Sequence, residues 1–141
     1  MDYEHIKSQL PYLSPFLFVD ELQHIDENGV TGSFTFDESM DFYRGHFVNN
    51  PITPGVILTE VMAQTGLVCL GIYLTDGNIS SGIVALTSVN IEFMKPVFPG
   101  EKVMIYSEKI YFRFNKLKCR VRMENSQGLE ICNGEIAGII K

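Results

Sequence analysis

In the run Gly45-His46-Phe47-Val48-Asn49-Asn50-Pro51-Ile52-Thr53-Pro54-Gly55-Val56-Ile57-Leu58-Thr59-Glu60, an imidazole and a carboxylate stand either side of a proline-started helix. They read as an acid/base pair with an oxyanion site between its members. From Val56 to Leu74 the chain is an almost wholly apolar helix, in which Glu60 is the only ionisable acid or base apart from the Tyr73 phenol. A carboxylate in such surroundings costs several kcal/mol in desolvation unless something specific holds it.

Thr53 is expected to cap the helix and Pro54 to occupy its first position, which leaves the Gly55 and Val56 amides unpaired. Those N–H groups and the positive end of the helix dipole favour an anion or a developing oxyanion, and Gly55 admits close approach of a ligand to the backbone. Ordinary helix capping explains most Pro-Gly starts equally well. Glu60 and Gln64 are four apart and share a helix face, so the amide is placed to orient the carboxyl. Burial raises the pKa of such an acid and suits it to general-acid work, while the His46 imidazole is the candidate general base.

The elements that must position these groups follow from pattern. A short amphipathic helix is expected from Asp2 to Gln9, then a strand from Phe16 to Ile25, a turn at Glu27-Asn28-Gly29 and a second strand from Val30 to Phe36. Asp37 to Pro54 is a long connection without periodicity, of the kind that tends to carry function. After the apolar helix, breaks at Thr75-Asp76-Gly77-Asn78 and Ser80-Ser81-Gly82 precede strand-like runs at Ile83 to Pro96, Lys102 to Phe114, Lys116 to Met123 and Leu129 to Ile139. The third of these alternates strictly, with Lys116, Lys118, Arg120 and Arg122 on one face and Leu117, Cys119, Val121 and Met123 on the other. A helix apolar on nearly every face must be covered all round, so one α+β domain over residues 1–141, a sheet curled about one helix, is the economical architecture.

At 141 residues the chain is long enough to bury a core without staples. Cys69, Cys119 and Cys132 are odd in number, form no CxxC pair and lie in apolar surroundings, which suggests reduced core thiols and a cytoplasmic protein. The first residues lack the basic and apolar regions of a secretory signal. Glu60, Gln64 and Thr65 interrupt the apolar run, favouring a core helix over a membrane span. A net charge of −6 argues against nucleic acid as a partner. Even so, Arg113, Lys116, Lys118, Arg120 and Arg122 form a basic cluster, read either as a solvated strand face or as a docking site for an acidic partner or a phosphate. No metal-ligand cluster, phosphate loop or G-x-S-x-G motif is present in the sequence, and no cofactor is expected.

Gly45-His46-Phe47, Pro51, Pro54-Gly55-Val56, Glu60 and Gln64 together resemble the signature of the hotdog-fold 3-hydroxyacyl-(acyl-carrier-protein) dehydratases of the FabZ type. The likeness extends to Leu10-Pro11, to Pro15-Phe16-Leu17-Phe18-Val19-Asp20 and to Phe93-Met94-Lys95-Pro96-Val97-Phe98-Pro99-Gly100-Glu101. The resemblance implies that His46 removes the C2 proton of a 3-hydroxyacyl thioester while Glu60 protonates the departing C3 hydroxyl. It also implies that the Gly55 amide binds the thioester carbonyl and that Gln64 supports Glu60. Acyl carrier protein is the implied partner, and the implied assembly is a homodimer with sites shared between subunits, or a higher oligomer.

Glu rather than Asp at position 60 leans away from the related dehydratase-isomerases. Val48, Asn50 and Thr53 depart from the family's usual proline, histidine and methionine, and suit a relative dedicated to polyene, polyketide or specialised lipid synthesis. Phe16, Phe47, Phe93 and Met94 lie near the motifs, where they either line an acyl tunnel or pack the core; Phe47 and Val56 are the candidate substrate contacts beside Gly55 and Gln64. Lys95 and Lys102 join the basic face as candidates for carrier docking. Two other readings stand beside the dehydratase. A hotdog thioesterase would use Glu60 to activate water and leaves His46 unexplained; a non-catalytic acyl-carrier binding subunit would not need both.

Overall fold

The computed structural model describes residues 3–78, 82 and 84–141. Six strands, β1 (Glu21–Asp26), β2 (Gly29–Thr35), β3 (Val84–Phe93), β4 (Lys102–Arg113), β5 (Lys116–Asn125) and β6 (Glu130–Ile140), form one antiparallel sheet in the order β1-β2-β4-β5-β6-β3. The sheet encloses a central helix, Gly55–Leu74, whose apolar window is 72% buried inside the domain. By length and composition that helix could cross a membrane; here it is the core of a hotdog fold, as its interrupting polar residues suggest.

The helix is not uniform. Gly55–Ala63 and Cys69–Leu74 are α-helical, and between them Gln64–Val68 forms a π turn in which the Cys69 N–H reaches back to the Gln64 carbonyl. Every residue from Val61 to Ile72 is buried. Glycines set how closely the sheet approaches this turn. A Cβ on Gly32 of β2 would lie 2.6 Å from Thr65 Cγ2, and one on Gly138 of β6 would lie 2.7 Å from Leu67 Cδ2. Ser107 of β4 donates its hydroxyl to the Gly66 carbonyl at 2.8 Å, satisfying an oxygen of the π turn.

β5 shows the alternation read from its sequence, with Leu117, Cys119, Val121 and Met123 buried on the helix side and the basic residues outward. Phe114 and Asn115 turn the chain into it with φ of 52° and 62°, a two-residue hairpin whose left-handed backbone suits the strand twist. All three cysteines are buried free thiols.

Several boundaries differ from expectation. The N-terminal helix is confined to Glu4–Lys7, with Asp2 outside the described residues. The first strand starts at Glu21 rather than Phe16, because Phe16 and Phe18 give their backbone groups to the Gln64 side chain instead of a ladder. β2 ends at Thr35, and β3 ends at Phe93, short of Pro96. Ser80, Ser81 and Ile83 lie outside the described residues.

Candidate active site

Glu60 sits in the second turn of the central helix with its carboxyl half-buried. Gln64, one turn on, donates from Nε2 to Glu60 Oε2 at 2.9 Å. The same nitrogen donates to the Phe16 carbonyl at 2.9 Å, and Gln64 Oε1 accepts the Phe18 N–H at 2.8 Å. With both amide hydrogens and its oxygen engaged, the wholly buried Gln64 side chain has no freedom to turn away from the acid. Burial pushes the Glu60 pKa up, and the Gln64 hydrogen bond opposes that rise without cancelling it. Nearby, burial and the charge of Glu60 push the Tyr12 phenol up to about 12, so it stays neutral.

His46 is held by the long connection. A 3₁₀ turn, Asp41–Arg44, leads into it, and the Phe42 carbonyl accepts the amides of both Gly45 and His46. Phe47 and Asn50 exchange backbone hydrogen bonds across a tight turn in which Asn49 takes a φ of 56°. Ile52 donates its N–H to the His46 carbonyl, and His46 Nδ1 meets the Ile52 carbonyl at 2.8 Å. A carbonyl can only accept, so Nδ1 carries a hydrogen, and in the neutral imidazole Nε2 keeps its lone pair. Phe47 stacks on the imidazole at 3.9 Å between centroids and is otherwise half exposed.

The helix start differs from the sequence reading in one respect. Pro54, not Thr53, is the capping residue, and it makes no side-chain cap. The Thr53 hydroxyl points instead to the Tyr43 phenol at 2.5 Å, inside the core. Ile57 and Leu58 are the first amides to bond back, both to the Pro54 carbonyl, so those of Gly55 and Val56 have no partner among the described residues. The Val56 side chain is 76% exposed. Gly55 faces Phe93 at the end of β3, whose ring would lie 3.3 Å from a Cβ placed there.

The structure thus brings Glu60 and Gln64 together and places Phe16 beside Gln64 and Phe93 beside Gly55. No contact joins His46 to Glu60 within a single chain among the described residues. The tie from Gln64 to Phe16 and Phe18 spans 48 and 46 positions and has no local signal in the sequence. A cavity of about 780 Å³ lies on the outer face of the sheet against Tyr106, Glu108, Arg120, Arg122 and Glu135, and its walls include neither His46 nor Glu60. The basic face is less basic than its sequence suggests. Lys118 and Arg120 both reach Glu135, at 3.3 and 3.4 Å, while Arg122 pairs with Glu124 at 3.1 Å and lies over the Tyr106 ring.

Residues 10–137 match the family model of the FabA-like domain. The 3-hydroxyacyl-(acyl-carrier-protein) dehydratase FabZ of Brucella abortus is 32% identical over 143 residues, covering 99% of this chain and 88% of that protein. Its counterpart in Bartonella quintana is 34% identical over 145 residues, covering 99% and 90%. Among solved structures, a chain of the dehydratase heterocomplex ApeI:P from Xenorhabdus doucetiae superposes with a TM-score of 0.80 at 12% identity, covering 96% of this chain and 90% of that one. A thioesterase from Pseudomonas aeruginosa gives 0.68 at 14% identity, covering 99% and 94%. At such identities these structural likenesses carry the fold alone.

Proposed function

The chain belongs to the FabA-like family, among its FabZ-type hotdog dehydratases, and from that premise we propose that His46 and Glu60 divide the base and acid work of its reaction. The enzyme dehydrates 3-hydroxyacyl thioesters borne on acyl carrier protein, giving trans-2-enoyl thioesters for fatty-acid or related polyene synthesis. The observations that support the residue roles are a half-buried Glu60 carboxyl of raised pKa and a His46 imidazole whose Nε2 has no hydrogen-bond partner among the described residues.

In this reading Nε2 of His46 takes the C2 proton. Electron density moves toward the thioester carbonyl oxygen, where the unpaired Gly55 amide and the helix dipole stabilise it. Glu60 Oε2 is occupied by the Gln64 donor, so the proton of the neutral acid rides on Oε1 and passes to the C3 hydroxyl as the C3–O bond breaks. Water leaves and the C2–C3 double bond remains. Phe47 against the imidazole, exposed Val56 and Phe93 at Gly55 supply apolar contacts for the acyl chain.

Because nothing among the described residues joins His46 to Glu60 within one chain, the pair is completed in this reading by a second copy, His46 of one subunit facing Glu60 of the other. The long β3 edge supports that assembly: it bonds to β6 on one side only and exposes Leu86, Val89 and Phe93. A homodimer, alone or within a larger oligomer, in the cytoplasm is the setting this reading takes.

The test is turnover of an enoyl thioester. Reversible hydration at constant thioester content is expected, whereas release of free thiol would mean a thioesterase and no turnover a binding subunit. His46→Ala and Glu60→Gln are each expected to lower kcat by about 10²-fold or more. Unfolded, mixed and refolded together, the two variants should recover part of the activity; hybrid dimers without recovery would rule out shared sites.

A further inference from the structure

Tyr43 and Thr53 enclose the segment that carries His46, and their hydroxyls meet at 2.5 Å with both side chains buried, at 6% and 3% exposure. Tyr43 belongs to the 3₁₀ turn that receives the His46 amide. Thr53 stands immediately before Pro54, whose carbonyl begins the central helix. The peptide between Ile52 and Thr53 is the pivot of the segment. Its carbonyl accepts the His46 Nδ1 hydrogen, and its N–H donates to the Val97 carbonyl at 2.9 Å. One peptide unit therefore sets the imidazole's tautomer and direction, and among the described residues the hydrogen-bond partner of the Thr53 hydroxyl is Tyr43.

We propose that the Tyr43–Thr53 hydroxyl pair is a positioning pair for the dehydration, locking the Ile52–Thr53 peptide so that His46 presents Nε2 while the Gly55 amide keeps its place at the helix start. The proposal rests on the reading of His46 as base and Gly55 as carbonyl donor. Stability alone does not call for this pair. Two hydroxyls buried among apolar groups gain little net free energy over two apolar side chains of the same shape, while either one left alone is costly. What a hydrogen bond adds over apolar contact is direction: an apolar pair can slide, and sliding here turns the carbonyl that orients the imidazole. The two hydroxyls sit where such a displacement reaches base and oxyanion donor at once.

The experiment combines ¹⁵N spectroscopy of the His46 imidazole with enoyl-thioester hydration kinetics on Tyr43→Phe, Thr53→Val, the double variant and Thr53→Ser. The native protein is expected to show one neutral tautomer with Nδ1 protonated. Tyr43→Phe and Thr53→Val should each show mixed tautomers and a kcat lower by about tenfold, with KM changed far less. The double variant leaves no orphaned hydroxyl, so it should recover the thermal stability the single changes lose while keeping the kcat loss; Thr53→Ser, which retains the hydroxyl, should restore the native spectrum. A well-folded double variant with native tautomer and native kcat would reduce the pair to packing and overturn the proposal, as would single variants that lose stability with no spectral change. The spectrum reads the imidazole without turnover, so a His46→Ala protein that still turned over would sink the base assignment without deciding the pair's hold on the ring.

Discussion

At the scale of the residue, Glu60 shows how a reactive group is kept at a cost to the fold. Burial raises its pKa in the folded chain above the value it has when unfolded, so between those two values the folded state holds more protons. Stability therefore falls as pH rises through that window, and the whole cost persists above the folded pKa. Glu60→Gln keeps an acceptor for Gln64 and removes the charge. It is expected to melt above the native protein at mildly alkaline pH, with the gap closing below the ordinary glutamate range; parallel melting curves at every pH would contradict the raised pKa. The spacing of Glu60 and Gln64 was legible from the sequence because both lie on one helix turn. Their tether to Phe16 and Phe18 was not, since its partners are far apart in the chain.

At the scale of the element, two buried hydroxyls meet the middle of the central helix in opposite situations, one from β4 and one from the helix itself. Ser107 satisfies the Gly66 carbonyl in the π turn, whereas Thr65 Oγ1 has no partner among the described residues. Ser107→Ala removes that buried hydrogen bond and is expected to destabilise the protein by about 0.5–1.5 kcal/mol in denaturant unfolding. Thr65→Val removes an unpaired polar atom at constant shape and is expected to be neutral or to stabilise by up to about 1 kcal/mol. Apolar continuity from Val56 to Leu74 announced the helix but not its π turn. That turn depends on a serine from β4 and on glycines from β2 and β6 that let the sheet close on it.

At the scale of the whole molecule, a free strand edge and a mixed-charge surface bear on assembly and docking. Val89 lies on the unpaired β3 edge opposite Ile136 of β6, and is 45% exposed. Val89→Lys is expected to shift the protein toward monomer in sedimentation and to take activity with it; an active monomer would end the shared-site reading. Carrier docking is best sought at the β4–β5 hairpin. There, among the described residues, Arg113 and Lys116 make no ion pair, and Arg113 lies over the Tyr111 ring at 4.5 Å. Reversing both charges should raise KM for a carrier-borne thioester several-fold and leave KM for a short pantetheine thioester unchanged. Equal effects on both substrates would place docking elsewhere.

What the sequence by itself determined are the features that depend on near neighbours: the apolar helix, the two faces of β5, the glycine turns and the Glu60–Gln64 spacing. Helical and strand periods express these within a few residues, and the family signature adds the expectation that Glu60 partners His46. Only the tertiary structure decided that Phe16 and Phe18 bond Gln64 instead of joining the sheet, that Thr53 bonds Tyr43 instead of capping the helix, that Glu135 and Glu124 offset the basic strand and that the Ile52 carbonyl holds His46 Nδ1. Each of these turns on a polar group choosing among acceptors that the chain brings near only after the sheet has wrapped the helix. Burial makes that choice costly to leave unmade, and the geometry of the fold determines which acceptor is within reach.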